Sequence, residues 1–89
     1  MVLEYVKKQT DEICLEAVKQ YGWALQYVEK QTEKICLAAV KQDGWVLQFV
    51  KNQTEDICLA AVKQNLEVIH NVNKNKFLKV WEYYEFATL

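Results

Sequence analysis

The motif ICLxAVKQ occurs three times, at residues 13–20, 35–42 and 57–64, and each copy begins 22 residues after the previous one. A fixed period of this length is typical of repeat proteins, in which each unit packs only on its neighbours. Equivalent positions keep similar apolar residues, as with Leu25, Leu47 and Ile69, while the outer positions vary. The repeat therefore predicts an architecture, and it contains no motif that requires catalysis.

The register of the repeat divides a single domain of residues 1–89 into five parts. These are a partial repeat at 1–9, full repeats at 10–31, 32–53 and 54–75, and a terminal helix at about 75–88. Each full repeat is expected to contain two short helices. Its threonine is a suitable N-cap, because the hydroxyl can accept from an unpaired amide of the first turn.

Two glycines are predicted to end the first helix of their repeats. Gly22 and Gly44 stand where a left-handed residue commonly terminates a helix, because glycine adopts that conformation without a steric penalty. A second helix is then expected to start at Trp23 or Trp45 and to run for about two turns. Both helices carry an apolar arc that is broader than the stripe of an ordinary surface helix, so neighbouring helices should cover them on two sides. The predicted fold is all-α, a short α-solenoid or helical array of 22-residue helix-turn-helix repeats with a C-terminal capping helix.

Composition narrows the function classes. The 89 residues carry a net charge of −1, whereas a nucleic-acid-binding domain usually has a basic excess, so the balance argues mildly against that class. The sequence shows no signal peptide, and no apolar run approaches the roughly 20 residues of a membrane span. We expect a cytoplasmic protein without a membrane contact.

Three cysteines, Cys14, Cys36 and Cys58, occupy the same position in successive repeats. Equivalent helices of adjacent repeats should lie about 8–10 Å apart, whereas a disulfide needs Cα atoms within about 7 Å. Zinc sites use closely spaced cysteines and often histidine, but the only histidine, His70, belongs to the other helix. We therefore expect the three cysteines to be small buried side chains that bind no metal. For the whole chain we expect no cofactor and no catalytic residue, and a protein that is not an enzyme.

Repeated aromatic pairs leave two interpretations open. Trp23 with Tyr27, and Trp45 with Phe49, are four residues apart and form a ridge on the second helix. The ridge either packs between neighbouring repeats or forms an aromatic rim of the kind found at protein interfaces. In the last repeat the pair is replaced by polar residues.

Two surfaces are candidates for binding another protein. One is the polar row on the second helices, and the other is the terminal helix, where five aromatic residues lie between positions 77 and 86. One face of that helix can close the stack, which leaves further apolar residues for a partner or for a homodimer. The partner-binding candidates are Gln26, Gln48, His70, Trp81, Phe86 and Leu89. The alternative is a nucleic-acid-binding repeat that uses the basic C-terminal end, namely Lys63, Lys74, Lys76 and Lys79.

The segment TEKICLAAVKQDGWVLQFVKNQ at residues 32–53 resembles the repeats of the family known as domain of unknown function 4116. The resemblance extends over about residues 1–73, and the last repeat departs from it at Leu66, Glu67 and Asn71. It implies a small helical repeat protein that works by binding another protein, and it brings no catalytic residues. Its most concrete form is a small intracellular inhibitor that binds and occludes a large enzyme such as a CRISPR nuclease, an anti-CRISPR protein.

Overall fold

The computed structural model describes residues 8–89, so most of the predicted partial repeat at 1–9 lies outside the described residues. Residues 8–89 form seven helices and contain no strand. Four are α-helices: α1 (Asp11–Gln20), α2 (Glu33–Gln42), α3 (Glu55–Gln64) and α4 (Leu78–Ala87). Three are 3₁₀-helices that follow α1, α2 and α3 in turn: Gly22–Tyr27, Gly44–Phe49 and Leu66–Asn71.

The predicted threonine caps are confirmed in all three repeats. The hydroxyls of Thr10, Thr32 and Thr54 accept hydrogen bonds from the amides three residues later, over 3.1, 3.2 and 3.3 Å. Acidic residues occupy the first turn of each of these helices and a lysine the last turn, so both ends suit the helix dipole. Local sequence thus fixes where the α-helix of each repeat begins.

The second helix of each repeat is a 3₁₀-helix of six residues. The sequence predicted its position and its two turns, and the structure adds the tighter winding of three residues per turn. Each of these helices is followed by a valine with extended backbone, at Val28, Val50 or Val72.

The predicted left-handed role of Gly22 and Gly44 is wrong. Neither glycine has a positive φ, and each α-helix ends instead at the residue before, which has extended backbone: Tyr21, Asp43 or Asn65. Both glycines are buried against the α-helix of the next repeat. A Cβ on Gly22 would lie 2.9 Å from the carbonyl oxygen of Ala39, and a Cβ on Gly44 would lie 2.5 Å from that of Ala61. Glycine is needed here for close backbone approach.

Successive repeats stack into two layers. The α-helices form one layer, in which α2 packs against α1 and α3, and α3 packs against α4. The 3₁₀-helices form the second layer, and each also contacts the α-helix of the next repeat. The array measures 45 × 21 × 16 Å, and its core runs between the layers through fully buried side chains such as Leu25, Leu47 and Ile69. This elongated two-layer stack confirms the all-α solenoid.

Two of the glutamines that precede the threonine caps, Gln9 and Gln31, join neighbouring repeats. The side-chain amide of Gln31 donates to the carbonyl oxygen of Phe49 at 2.8 Å, and its Oε1 accepts from the amide of Lys51 at 3.0 Å. Gln9 makes the equivalent bonds to Tyr27 and Glu29. These bonds hold the chain that leaves the first and second 3₁₀-helices against the preceding repeat.

The terminal helix α4 begins at Leu78, because a turn at residues 74–76 precedes it. Asn73 closes that turn, since its side chain accepts from the amide of Lys76 and its carbonyl oxygen accepts from the amide of Phe77. Phe77 and Val80 are buried against the last repeat. The helix therefore covers the end of the core, as a capping element must.

Candidate interaction surfaces

The polar row Gln26, Gln48 and His70 lies at equivalent positions of the three 3₁₀-helices, and all three side chains are exposed. The amides of Gln26 and Gln48 each donate to the carbonyl oxygen three residues earlier, over 3.1 Å. These bonds tie the two side chains to the backbone of their own helices. The row is thus an ordered polar strip along the 3₁₀ layer.

The aromatic ridge packs between repeats. The Trp23 and Phe49 rings meet edge to face with centroids 5.3 Å apart, and the Trp23 indole N–H donates to the carboxylate of Asp43 at 2.6 Å. Asn71 occupies the position equivalent to Phe49 in the last repeat, so Trp45 has no aromatic residue in the corresponding place. Trp23 therefore packs between neighbouring repeats and does not form an aromatic rim for a partner.

The predicted residues of α4 fall into two groups. Trp81 is half-buried, its indole N–H donates to the carbonyl oxygen of Val72 at 2.9 Å, and its ring meets that of Tyr84. Trp81 therefore fastens the cap to the last repeat. Phe86 and Leu89 are instead 78% and 99% exposed. Leu78, on the same helix, is also exposed, so α4 carries large apolar side chains that its own repeats do not cover.

The lysines of the nucleic-acid alternative gather around the aromatic residues of this end. The ammonium groups of Lys63, Lys74 and Lys76 lie 5.4–5.5 Å from ring centroids, over Tyr83, Trp81 and Phe77 respectively. Such cation–π contacts stabilise the cap modestly. Lys79 is exposed on α4. Three of the four lysines thus cover aromatic rings that stacking on nucleic-acid bases would need to expose.

The cysteines are buried and hydrogen-bonded. Each thiol donates to the Oε1 of the glutamine five residues earlier, at 3.6–3.7 Å, which places Cys36 against Gln31 and Cys58 against Gln53. Burial raises the pKa of all three thiols, and that of Cys58 rises to about 11 although Lys76 partly lowers it. They are held as neutral thiols, which disfavours nucleophilic chemistry.

The outer face of the α layer carries a feature that sequence reasoning missed. Leu15, Leu37 and Leu59 belong to the apolar arcs of α1, α2 and α3, yet they are only half-buried and line two adjacent grooves. The groove between α1 and α2 has a volume of about 570 Å³, and the groove between α2 and α3 about 470 Å³. Leu37 and Lys41 line both. The recurrence of these residues every 22 positions was the available signal, but a helical wheel does not distinguish the edge of a core from its centre.

Within residues 8–89, no three histidine, cysteine or acidic side chains are grouped so that they could hold a metal ion. In the same part of the chain, no helix is both long and apolar enough to span a membrane.

A family model described as "Domain of unknown function (DUF4116)" matches the chain twice, over residues 10–55 and 32–77. The two matches overlap and are offset by 22 residues, as expected for tandem copies of the repeat seen in the structure. No curated protein and no solved structure matches the chain.

Proposed function

The chain belongs to the DUF4116 family, and from this premise we propose that it is a non-enzymatic protein-interaction module. The observation that carries the proposal is the exposure of two large apolar side chains at the C-terminal end, Phe86 on α4 and Leu89 two residues beyond it. Phe77, at the N-cap of this helix, and Val80, within it, already close the core. The two exposed side chains are therefore not needed by the fold, and large exposed apolar groups of this kind favour contact with a second molecule.

The polar strip offers a second contact area. Gln26 and Gln48 present ordered side chains at successive repeat positions, and His70 continues the row towards α4, which packs against the last 3₁₀-helix. Polar residues around an apolar centre are the usual anatomy of a protein interface. The proposed interface thus has an apolar part on α4 and a polar part along the 3₁₀ layer.

In its most concrete form, the proposed module is an inhibitor that occludes a large intracellular enzyme such as a CRISPR nuclease. A 10.5 kDa rod about 45 Å long is large enough to cover an active-site cleft. Standard interfaces bury only about 800 Å² per partner, a small share of the 5820 Å² surface of this protein.

The test is affinity capture from the source cell, followed by mass spectrometry. The wild type should retain one protein specifically, and Phe86→Ser with Leu89→Ser should lose it. A matched control on the same helix replaces Glu82 and Glu85, which are also exposed, by serine. The inhibitor version is tested separately, by adding the purified protein to a nuclease cleavage assay.

Retention by the control and loss by the apolar double variant, with unchanged circular dichroism, would support the interface on α4. Equal retention by both variants would place the interface elsewhere. Conversion of a candidate substrate by the purified protein would refute the non-enzymatic proposal.

A further inference from the structure

The two grooves on the outer face of the α layer form one continuous surface. They share Leu37 and Lys41, so a ligand that crosses α2 meets both. Their walls include the half-buried Leu15 and Leu59, one on either side. Three leucines at equivalent positions thus make each groove an apolar site for a ligand side chain. These two neighbouring sites along the stack are the seats of the surface.

The charge of the residues that line these two grooves differs from that of the whole chain. Four lysines line the grooves against two acidic residues, whereas the whole chain carries a net charge of −1. The lysines are Lys19, Lys34, Lys41 and Lys63, and the acidic residues are Glu33 and Asp56. Three of these lysines close the carboxyl ends of α1, α2 and α3 and therefore form a row beside the leucines. An acidic ligand with apolar side chains complements this pattern.

The spacing of the seats selects an extended ligand. Packed helices lie about 8–10 Å apart, and neighbouring grooves repeat at the same interval. One turn of a polyproline II helix has three residues and advances about 9.3 Å, so it returns a side chain to the same edge at nearly that interval. A chain crossing the helices in this conformation would place side chains i and i+3 in successive grooves.

We propose that the outer face of the α layer binds an extended acidic segment of a protein, with apolar side chains at i and i+3 seated beside Leu37 and acidic side chains against the lysine row. This goes beyond the proposed function, because it concerns another face of the array and defines the chemistry of the ligand. It does not involve Phe86 or Leu89.

A nucleic acid fits the same face less well. Glu33 and Asp56 lie in the grooves and would repel a continuous phosphate backbone, while the leucines offer nothing that a phosphate can use. A peptide can place its acidic residues only where the lysines are.

The test uses fluorescence anisotropy with a labelled nine-residue peptide of three Leu-Asp-Pro triplets. Proline favours the polyproline II conformation, and each triplet supplies one apolar and one acidic side chain. The control peptides are three Ser-Asp-Pro triplets, which lack the apolar anchors, and three Leu-Lys-Pro triplets, which reverse the charge. A labelled single-stranded RNA of twelve nucleotides is the competing ligand class.

The wild type should bind the first peptide saturably, with a dissociation constant below about 1 mM, and both control peptides more weakly. Lys41→Glu should weaken binding about tenfold or more, because it places a negative charge beside both seats. Lys30→Glu makes the same charge change at an exposed position outside the two grooves and should leave binding within about twofold. Circular dichroism confirms that each variant is folded.

Phe86→Ser with Leu89→Ser separates this inference from the proposed function. That variant should bind the peptide as the wild type does, whatever happens to capture through α4. No saturable binding of the Leu-Asp-Pro peptide, equal binding of the Ser-Asp-Pro peptide, or equal loss in Lys41→Glu and Lys30→Glu would each overturn the inference. Tighter binding of the RNA, lost in Lys41→Glu, would also overturn it and assign the face to nucleic acid.

Discussion

Replacing Gly44 by alanine is expected to destabilise the protein by about 2–3 kcal/mol. The new Cβ would lie 2.5 Å from the carbonyl oxygen of Ala61 and 3.1 Å from both Gln64 Oε1 and Val68 Cγ2. Ordinary contacts between such atoms are about 3.5 Å, so α3 and the second 3₁₀-helix would have to separate by roughly 1 Å. Overpacking of this kind costs about 1–3 kcal/mol.

The same displacement would disturb a hydrogen bond. The amide of Gly44 donates to Gln64 Oε1 at 2.6 Å, and weakening that bond adds about 1 kcal/mol. Alanine also gives the unfolded chain less conformational entropy than glycine does. Because the φ of Gly44 is not positive, this effect offsets about 0.4–1 kcal/mol of the destabilisation. Gly22→Ala is the matched comparison. Its Cβ would lie 2.9 Å from the nearest backbone oxygen, and its next contact is at 3.4 Å, so its cost should be only about 1 kcal/mol.

Urea denaturation followed by circular dichroism measures the free energy of unfolding of both variants. A third variant, Gly44→Asn, distinguishes a steric role of this glycine from a left-handed one. Asparagine tolerates the left-handed conformation better than alanine does, but it is larger. The steric account predicts that Gly44→Asn is at least as unstable as Gly44→Ala. An asparagine variant clearly more stable than the alanine variant, or a Gly44→Ala variant as stable as the wild type, would refute the reasoning.

Three further predictions concern the links between repeats, the thiols and the terminal helix. Gln31→Ala should lower the free energy of unfolding, measured by urea denaturation, by about 2–3 kcal/mol, because it removes hydrogen bonds to Phe49, Lys51 and Cys36. Gln53→Ala removes only the bonds to Leu47 and Cys58 and should cost about 1 kcal/mol. Equal costs would contradict the proposed link between repeats. Because burial raises the pKa of Cys58 from 9.0 to about 11, the folded protein keeps a proton that the unfolded chain loses, so stability present below pH 9 falls as the pH rises towards 11. The melting temperature of Cys58→Ala should fall less over this range, and parallel curves would exclude the thiol as a cause. Phe86→Ser with Leu89→Ser should change the free energy of unfolding by less than about 0.5 kcal/mol, because both side chains are exposed. The double variant should also abolish any self-association seen by light scattering. Loss of the folded state would show that the two side chains belong to the core.

Much of the fold could be predicted because it is determined by short-range patterns. The threonine caps and the apolar arcs are local, and the 22-residue period carries them from one repeat to the next. The role of Gly22 and Gly44 could not be read in the same way. A left-handed cap and a close backbone contact both require glycine, and only the position of the next α-helix decides between them.

The surfaces were less predictable than the fold. Exposure of Phe86 and Leu89 followed from the helical wheel, since one face of α4 had to cover the last repeat. The half-buried leucines of the α layer lie at the edge of the core, and their exposure depends on how far neighbouring helices separate. The glutamine links depend on the packing of an α-helix and a 3₁₀-helix, which together bring residues about 20 positions apart into contact, as between Gln31 and Lys51.

The central claim is that this repeat array binds protein, and the salt dependence of the captured complex tests it most directly. Four phosphate contacts, one for each of Lys63, Lys74, Lys76 and Lys79, would lower the affinity roughly 150-fold between 50 and 200 mM salt. An interface centred on Phe86 and Leu89 should lose less than about tenfold, because its apolar part is insensitive to screening. A complex that survives both this change and nuclease treatment is the predicted result. A complex that dissociates steeply with salt and disappears after nuclease treatment would contradict the account.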